Sequence, residues 1–292
     1  MDRVVLKHIP LRRPNRFSGM APVLHRVTWG LFLVLVASVW IRLWAKVAWL
    51  PTGSWPEGLL ILLAAATTLV SLSRQLPGQN VLLAALVIAV FAGAAQVLGA
   101  LTYMPFGPYV YDKRFGPQLF DVLPWPVPLI WIVALLNARG VARLILRPWR
   151  QNPVYGLWVI GVSASLVVLL DFGLEPFATQ VMGYWSWKPT KIPSDWYSTP
   201  WVNFLGWAVT SLLILVFVTP ALINKKPVRH PPDYHPLIIW LLMNLLLLTG
   251  ALAHQLGTAM GLTLAQTITV CIFALWGSKH SSSNNPKVPV TT

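Results

Sequence analysis

Residues 80–100 read NVLLAALVIAVFAGAAQVLGA and contain no charged side chain. A helix needs roughly 20 apolar residues to cross the ~30 Å hydrocarbon core of a bilayer. In lipid no water meets the backbone N–H and C=O groups, so such a run is helical or belongs to a closed barrel. The chain repeats the pattern at 24–50, 57–73, 126–146, 154–172 and 201–222. The stretch 236–276 is too long for one span and divides into two around 255–257. The expected fold is all-α, a polytopic transmembrane bundle of about eight helices. Composition agrees, since only 10% of the 292 residues are charged and 56% are hydrophobic, against roughly 25% charged in ordinary soluble chains. The expected organisation is a basic arm at 1–23, a transmembrane catalytic domain at 24–277 and a polar, disordered tail at 278–292.

The net charge of +14 is distributed between the apolar runs. That placement argues for membrane topology and against a nucleic-acid surface. With the N-terminus inside, eight helices place 16 of the 22 Lys and Arg on the inner side, as the positive-inside rule expects. Both termini then lie inside, and the expected location is the cytoplasmic (inner) membrane, multi-pass. Arg42 and Arg139 fall within apolar runs near their ends. They are expected to snorkel to the interface, with a structural partner for Arg42 as the alternative. The run after the arm is too long for a signal-peptide core, so it is read as a retained first helix. The lone Cys271 cannot form an intrachain disulfide and is expected to be a small buried apolar residue.

Two stretches break the pattern. Residues 101–131 read LTYMPFGPYVYDKRFGPQLFDVLPWPVPLIW, and residues 171–207 read DFGLEPFATQVMGYWSWKPTKIPSDWYSTPWVNFLGW. The helix count puts both on the same, outer side. We expect the helices to hold these two loops against each other.

Several chemistries lack their residues. The chain contains no dinucleotide-binding glycine motif, no phosphate-binding P-loop and no H-E-x-x-H. Its six histidines form no ligand-like cluster in sequence, so no metal site is expected, and neither dinucleotide-dependent redox chemistry nor histidine-box oxygenation is. A reaction needing only protons and water remains open. Of the eight acids, Asp112, Asp121, Asp171 and Glu175 fall in or beside the two loops. Asp171 and Glu175 are four residues apart, so they share a face if helix five extends that far. Two carboxyls in one poorly hydrated site do not both ionise easily, and a carboxyl kept protonated can act as a general acid. Alternatively, these acids only mark the water boundary or pair with nearby Lys and Arg.

Aromatic residues crowd the same stretches, among them Tyr109, Tyr111, Trp185, Trp187, Tyr197 and Trp207. An interfacial belt explains some of them. Aromatic faces also stabilise cations, and the rings would line a pocket for a long apolar ligand. Asn203 opens helix six, where it either caps the helix, bonds to loop backbone or positions a water.

The two loops resemble the integral-membrane carotenoid biosynthesis family that contains the carotenoid 1,2-hydratases of bacteria and haloarchaea. The resemblance rests on Pro105-Phe106-Gly107-Pro108-Tyr109 with Tyr111, on Gly116-Pro117 and on the Pro-rich entry to Trp131. It continues through Asp171, Glu175-Pro176, Gly183, Trp185, Trp187, Tyr197, Pro200, Asn203-Phe204 and Gly206-Trp207. It implies addition of water to the terminal C-1′,2′ double bond of an acyclic carotenoid end, such as that of γ-carotene or lycopene. The implied partners are a carotenoid held in the bilayer and water, with other carotenoid biosynthesis enzymes as candidate neighbours. Asp171 and Glu175 are the expected proton-handling pair, with Asp112 and Asp121 behind them, and no cofactor is needed. The alternatives are another acid-catalysed end-group step, a cyclisation or isomerisation, and a transporter or non-catalytic pigment-binding protein.

Overall fold

The computed structural model describes residues 20–45, 55–190, 196–223 and 231–280. Most of the expected basic arm and tail lies outside these residues. Eight helices among them are long and apolar enough to cross a membrane: α1 (Met20–Ala45), α2 (Trp55–Ser73), α3 (Gly78–Thr102), α4 (Pro126–Ile145), α5 (Tyr155–Pro176), α6 (Trp201–Val218), α7 (His235–Ala253) and α8 (Gly257–His280). The division of the last apolar stretch falls where the sequence placed it. Helix α8 runs on to His280, so the first residues assigned to the tail are helical.

Helix α4 is the hub, packing on α2, α3, α5, α7 and α8. Its sequence explains the position. Ala134, Ala138, Val141 and Ala142 let neighbouring backbones approach closely, which drives packing where lipid supplies no hydrophobic contrast. The outer helices instead turn Leu82, Leu86, Val216, Phe217 and Ile272 outward, the surface expected of a bundle solvated by acyl chains. Prolines set several helix starts: α4 begins on Pro126, α7 carries Pro236 in its first turn, and Pro200 caps α6. A missing N–H costs nothing at those positions.

The two unusual loops meet. Strand β1 (Tyr109–Tyr111) lies antiparallel to β4 (Trp185–Trp187), with Tyr109 opposite Trp187 and Tyr111 opposite Trp185. The shorter strands β2 (Gln118–Leu119) and β3 (Leu123–Pro124) pair within the first loop. Side chains alternate across a strand. The four large rings of β1 and β4 therefore share one face, while Val110 and Ser186 point to the exposed side. Helix α5 does not stop at its expected end. It runs to Pro176 and continues as a π-helical turn, Phe177–Met182, ending at Gly183 in the left-handed region.

Arg42 takes the alternative of a structural partner, and Arg139 departs from expectation. Arg42 Nη1 donates to Glu57 Oε1 at 2.8 Å, and the Glu57 side chain is 7% exposed. Arg139 is 7% exposed, and its Nη2 donates to the Leu222 carbonyl at 3.1 Å. Partners offered by neighbouring elements hold both side chains, Arg139 buried and Arg42 half-buried. Cys271 is half-buried.

Candidate functional site

Helix α5 reaches far enough for Asp171 and Glu175 to lie one turn apart on one face, and they are 0% and 2% exposed. Buried carboxyls require donors, and here the loops supply them. The β4 alternation aims Trp185 and Trp187 at the same atom. Their Nε1–H groups donate to Glu175 Oε2 at 3.0 and 2.9 Å. The Thr199 hydroxyl donates to that oxygen at 3.3 Å. Asn203, in the first turn of α6, joins the two acids. Its Nδ2 lies 2.9 Å from Asp171 Oδ2 and 3.0 Å from Glu175 Oε1. Four donors thus converge on Glu175, whereas Asp171 Oδ1 has no partner among the described residues. Asn203 caps nothing: Pro200 is the helix cap, and the amide is spent on the carboxyl pair.

The opposite side of the ribbon face is held by Gln96 of α3. The Tyr109 hydroxyl lies 2.8 Å from its carbonyl oxygen and 2.9 Å from its Oε1, and Tyr111 donates to the same Oε1 at 2.9 Å. Burial raises both phenols above their ordinary range, so they remain O–H groups near neutral pH. Phe106 closes the end. It is wedged between α3 and α6 where both helices carry glycine: a Cβ at Gly99 or Gly206 would meet its ring at 2.8 or 2.7 Å. Trp131 of α4 and Trp207 of α6 stack with centroids 4.1 Å apart and form another wall.

Glu175, Asn203 and the aromatic rings line a cavity of about 30 Å³. One water centre needs about 10–15 Å³, so the space suits water and is too small for a terpenoid end without movement of the rings. Ile130, Leu174 and Trp185 also line a second, almost wholly apolar chamber of about 100 Å³ between α2, α4, α5 and α7. Its few polar groups include Glu57 and Tyr184.

Residues 57–275, which include every group named at this site, match the family described as carotenoid biosynthesis protein. The chain belongs to the carotenoid biosynthesis protein family. A similar curated protein is the bisanhydrobacterioruberin hydratase of Haloarcula japonica, 26% identical over 136 residues. That alignment covers 46% of this chain and 44% of the relative, so the chain spans less than half of the relative's length. No solved structure matches it.

Within this family member, the structure gathers seven of the eleven residues that sequence singled out: Asp171, Glu175, Tyr109, Tyr111, Trp185, Trp187 and Asn203. Trp207 joins them as a wall. The other three are elsewhere. Asp112 is on the surface, where the Arg114 side chain and backbone N–H bond to it and hold its carboxyl below the usual range. Asp121 is exposed in the turn between β2 and β3, with φ 57°. Neither touches the buried pair, because the end of β1 and the β2–β3 turn carry them to the surface of the loops. Tyr197 bonds instead to the start of α8, through Thr258 Oγ1 at 2.6 Å and the Ala259 N–H at 3.2 Å.

Sequence reasoning missed Gln96, Thr199 and the Glu57–Arg42 pair. Gln96 had a legible signal as a strongly polar side chain inside an apolar span, a signal it shares with Asn137, Asn244 and Gln266. Thr199 had none. Among the described residues, no three His, Cys, Asp or Glu side chains converge as a metal site requires.

Proposed function

We propose that this chain is a carotenoid hydratase that adds water to the terminal C-1′,2′ double bond of an acyclic end group. The observation that carries the reading is a buried carboxyl pair joined by one amide, facing a water-sized cavity walled by aromatic rings. The name of the Haloarcula relative and the family membership support the reaction class; the bond attacked follows from the resemblance of the two loops.

Glu175 is the member of the pair that lines the cavity. In the proposed cycle its proton goes to C-2′, the alkene π pair forms the new C–H bond, and a tertiary cation is left at C-1′. Trp185, Trp187, Thr199 and Asn203 stabilise the carboxylate left behind, as preorganised donors do where charge develops. The Trp and Tyr faces shelter the cation. A water in the cavity attacks C-1′ and returns one proton to Glu175, which restores the site. The sum is alkene plus water giving a tertiary alcohol, with no oxidant, reductant or cofactor consumed. Asp171 is proposed as the positioning partner, holding Asn203 and sharing the pair's proton.

The outer-side placement of this site belongs to the same proposal. A C40 polyene is comparable in length to the ~30 Å membrane core. Its end can therefore reach loops at one face while the chain stays in lipid. The test is expression in a bacterial host that accumulates lycopene and γ-carotene, followed by chromatography with mass detection. Hydration gives a more polar pigment, heavier by one water, with its polyene absorption unchanged. An isomeric pigment of unchanged mass would replace hydration with cyclisation or isomerisation. Unaltered pigments in lycopene, γ-carotene and longer-chain hosts, with the protein present in the membrane, would refute catalysis on acyclic ends.

A further inference from the structure

A larger cavity lies at the opposite end of the bundle. It measures about 450 Å³, and four arginines line it: Arg139, Arg143, Arg147 and Arg150. The ordinary explanation is topology, since cationic residues collect in connections on one side of a membrane. Three observations exceed it.

First, a topological arginine belongs in water, yet Arg139 is 7% exposed and lies within the span of α4. One of its N–H groups reaches the Leu222 carbonyl, while its buried Nε has no partner among the described residues. An ionised side chain at such depth is unfavourable unless something compensates it.

Second, Arg139 and Arg143 are four apart on α4, and Arg147 opens the 3-10 turn that follows it, so like charges are gathered at one helix end, an unfavourable arrangement without an anion to share. Burial and then the neighbouring Arg150 hold the Arg147 guanidinium below its ordinary range.

Third, the local counter-charge is committed elsewhere. Asp233 also lines the cavity. Its carboxylate is held by the His235 ring and backbone N–H and by the Gln75 amide. Arg139, Arg143 and Arg150 form no ion pair with any described residue.

We propose that this cavity binds a phosphate group, with Arg139 at its buried end and Arg143, Arg147 and Arg150 toward water. Guanidinium forks match tetrahedral phosphate oxygens and bind them with charge-assisted hydrogen bonds. The volume lies within the range of small-molecule pockets, so it accommodates more than a bare phosphate. Two sources share this chemistry. One is the headgroup of an anionic phospholipid, a common occupant of basic pockets between transmembrane helices. The other is a soluble phosphate.

The test uses the full chain purified in neutral detergent. Binding is measured for phosphatidylglycerol in mixed micelles, for phosphatidylcholine as the zwitterionic control, and for inorganic phosphate. Arg143→Gln with Arg150→Gln is the deciding variant, because both residues are exposed and the fold does not depend on burying them. Arg139→Gln is the second. The deciding variant should weaken binding by about tenfold or more, the scale of losing charge-assisted bonds. Binding of phosphatidylglycerol alone assigns a lipid headgroup; comparable binding of inorganic phosphate assigns a soluble anion. Failure of both anions to bind, binding of phosphatidylcholine as tight as that of phosphatidylglycerol, or undiminished binding by the double variant would overturn the proposal.

Discussion

Replacing Glu175 by glutamine changes one atom of the carboxyl pair and has a consequence that can be worked through. The new amide oxygen takes the Oε2 position and keeps Trp185, Trp187 and Thr199 as donors. Its NH₂ then takes the Oε1 position, where the Asn203 amide nitrogen now sits 3.0 Å from the carboxylate oxygen. Two donors cannot face each other, so Asn203 must turn its amide over. That turn withdraws the N–H from Asp171 Oδ2, and Asp171 Oδ1 already lacks a partner. The structural cost is therefore about one hydrogen bond to a charged group, ~1.5–3 kcal/mol. That is smaller than the ~5–15 kcal/mol by which folded proteins are typically stable, and the protein should still insert and fold. The chemical cost is larger. An amide cannot deliver the proton, and general acid–base catalysis contributes about 10²–10⁴-fold. Hydrated pigment should fall by that factor at equal protein level in the membrane, measured by chromatography against an immunoblot. Product above about a tenth of the unmodified level would refute the role given to Glu175.

Other expectations follow from the same contacts. Trp187→Phe keeps the ring and removes one of the four donors to Glu175, so hydration should fall about 10–100-fold, the equivalent of ~1.5–3 kcal/mol; full activity in the Trp185→Phe, Trp187→Phe double variant would argue against carboxylate stabilisation. Gly206→Ala sets a Cβ 2.9 Å from the Pro105 carbonyl oxygen as well as against Phe106, and overpacking of this kind costs ~1–3 kcal/mol. Its melting temperature in detergent should drop, whereas Gly161→Ala, with nothing within 4 Å, should hold or raise it. Phe120, 90% exposed at the tip between β2 and β3, tests orientation: in a Cys271→Ser background, Phe120→Cys should react with a membrane-impermeant maleimide added to intact spheroplasts, and labelling only after lysis would reverse the assignment of sides.

The sequence by itself determined the helices. Lipid leaves the backbone no partner but itself, so each apolar run had to be a helix, and the eight spans fall where the runs fall. The sequence also marked the two loops, because Gly-Pro breaks and clustered aromatics have no place inside a span. The four-residue interval between Asp171 and Glu175 placed them on one face as soon as α5 was known to continue. The Tyr-Val-Tyr and Trp-Ser-Trp alternations carried a further signal, period two, which a reading in helical spans passed over; in the structure they form the ribbon that presents four rings to one side.

Tertiary structure alone decided which groups met those carboxyls. Thr199 and Asn203 reach them from the loop before α6 and from α6 itself, Gln96 of α3 holds the two tyrosines beside them, and no local rule joins elements so far apart in sequence. The same holds for Arg42, which finds Glu57 across two helices, and for Asp112 and Asp121. Both look catalytic from their neighbours in sequence, but Asp112 is carried to the surface by β1, whose partner β4 lies more than seventy residues further along the chain, and Asp121 by the short turn between β2 and β3. Local pattern dictates which backbone conformation satisfies its own hydrogen bonds. The partners of a buried charge are chosen by whichever distant side chain the packing brings within reach.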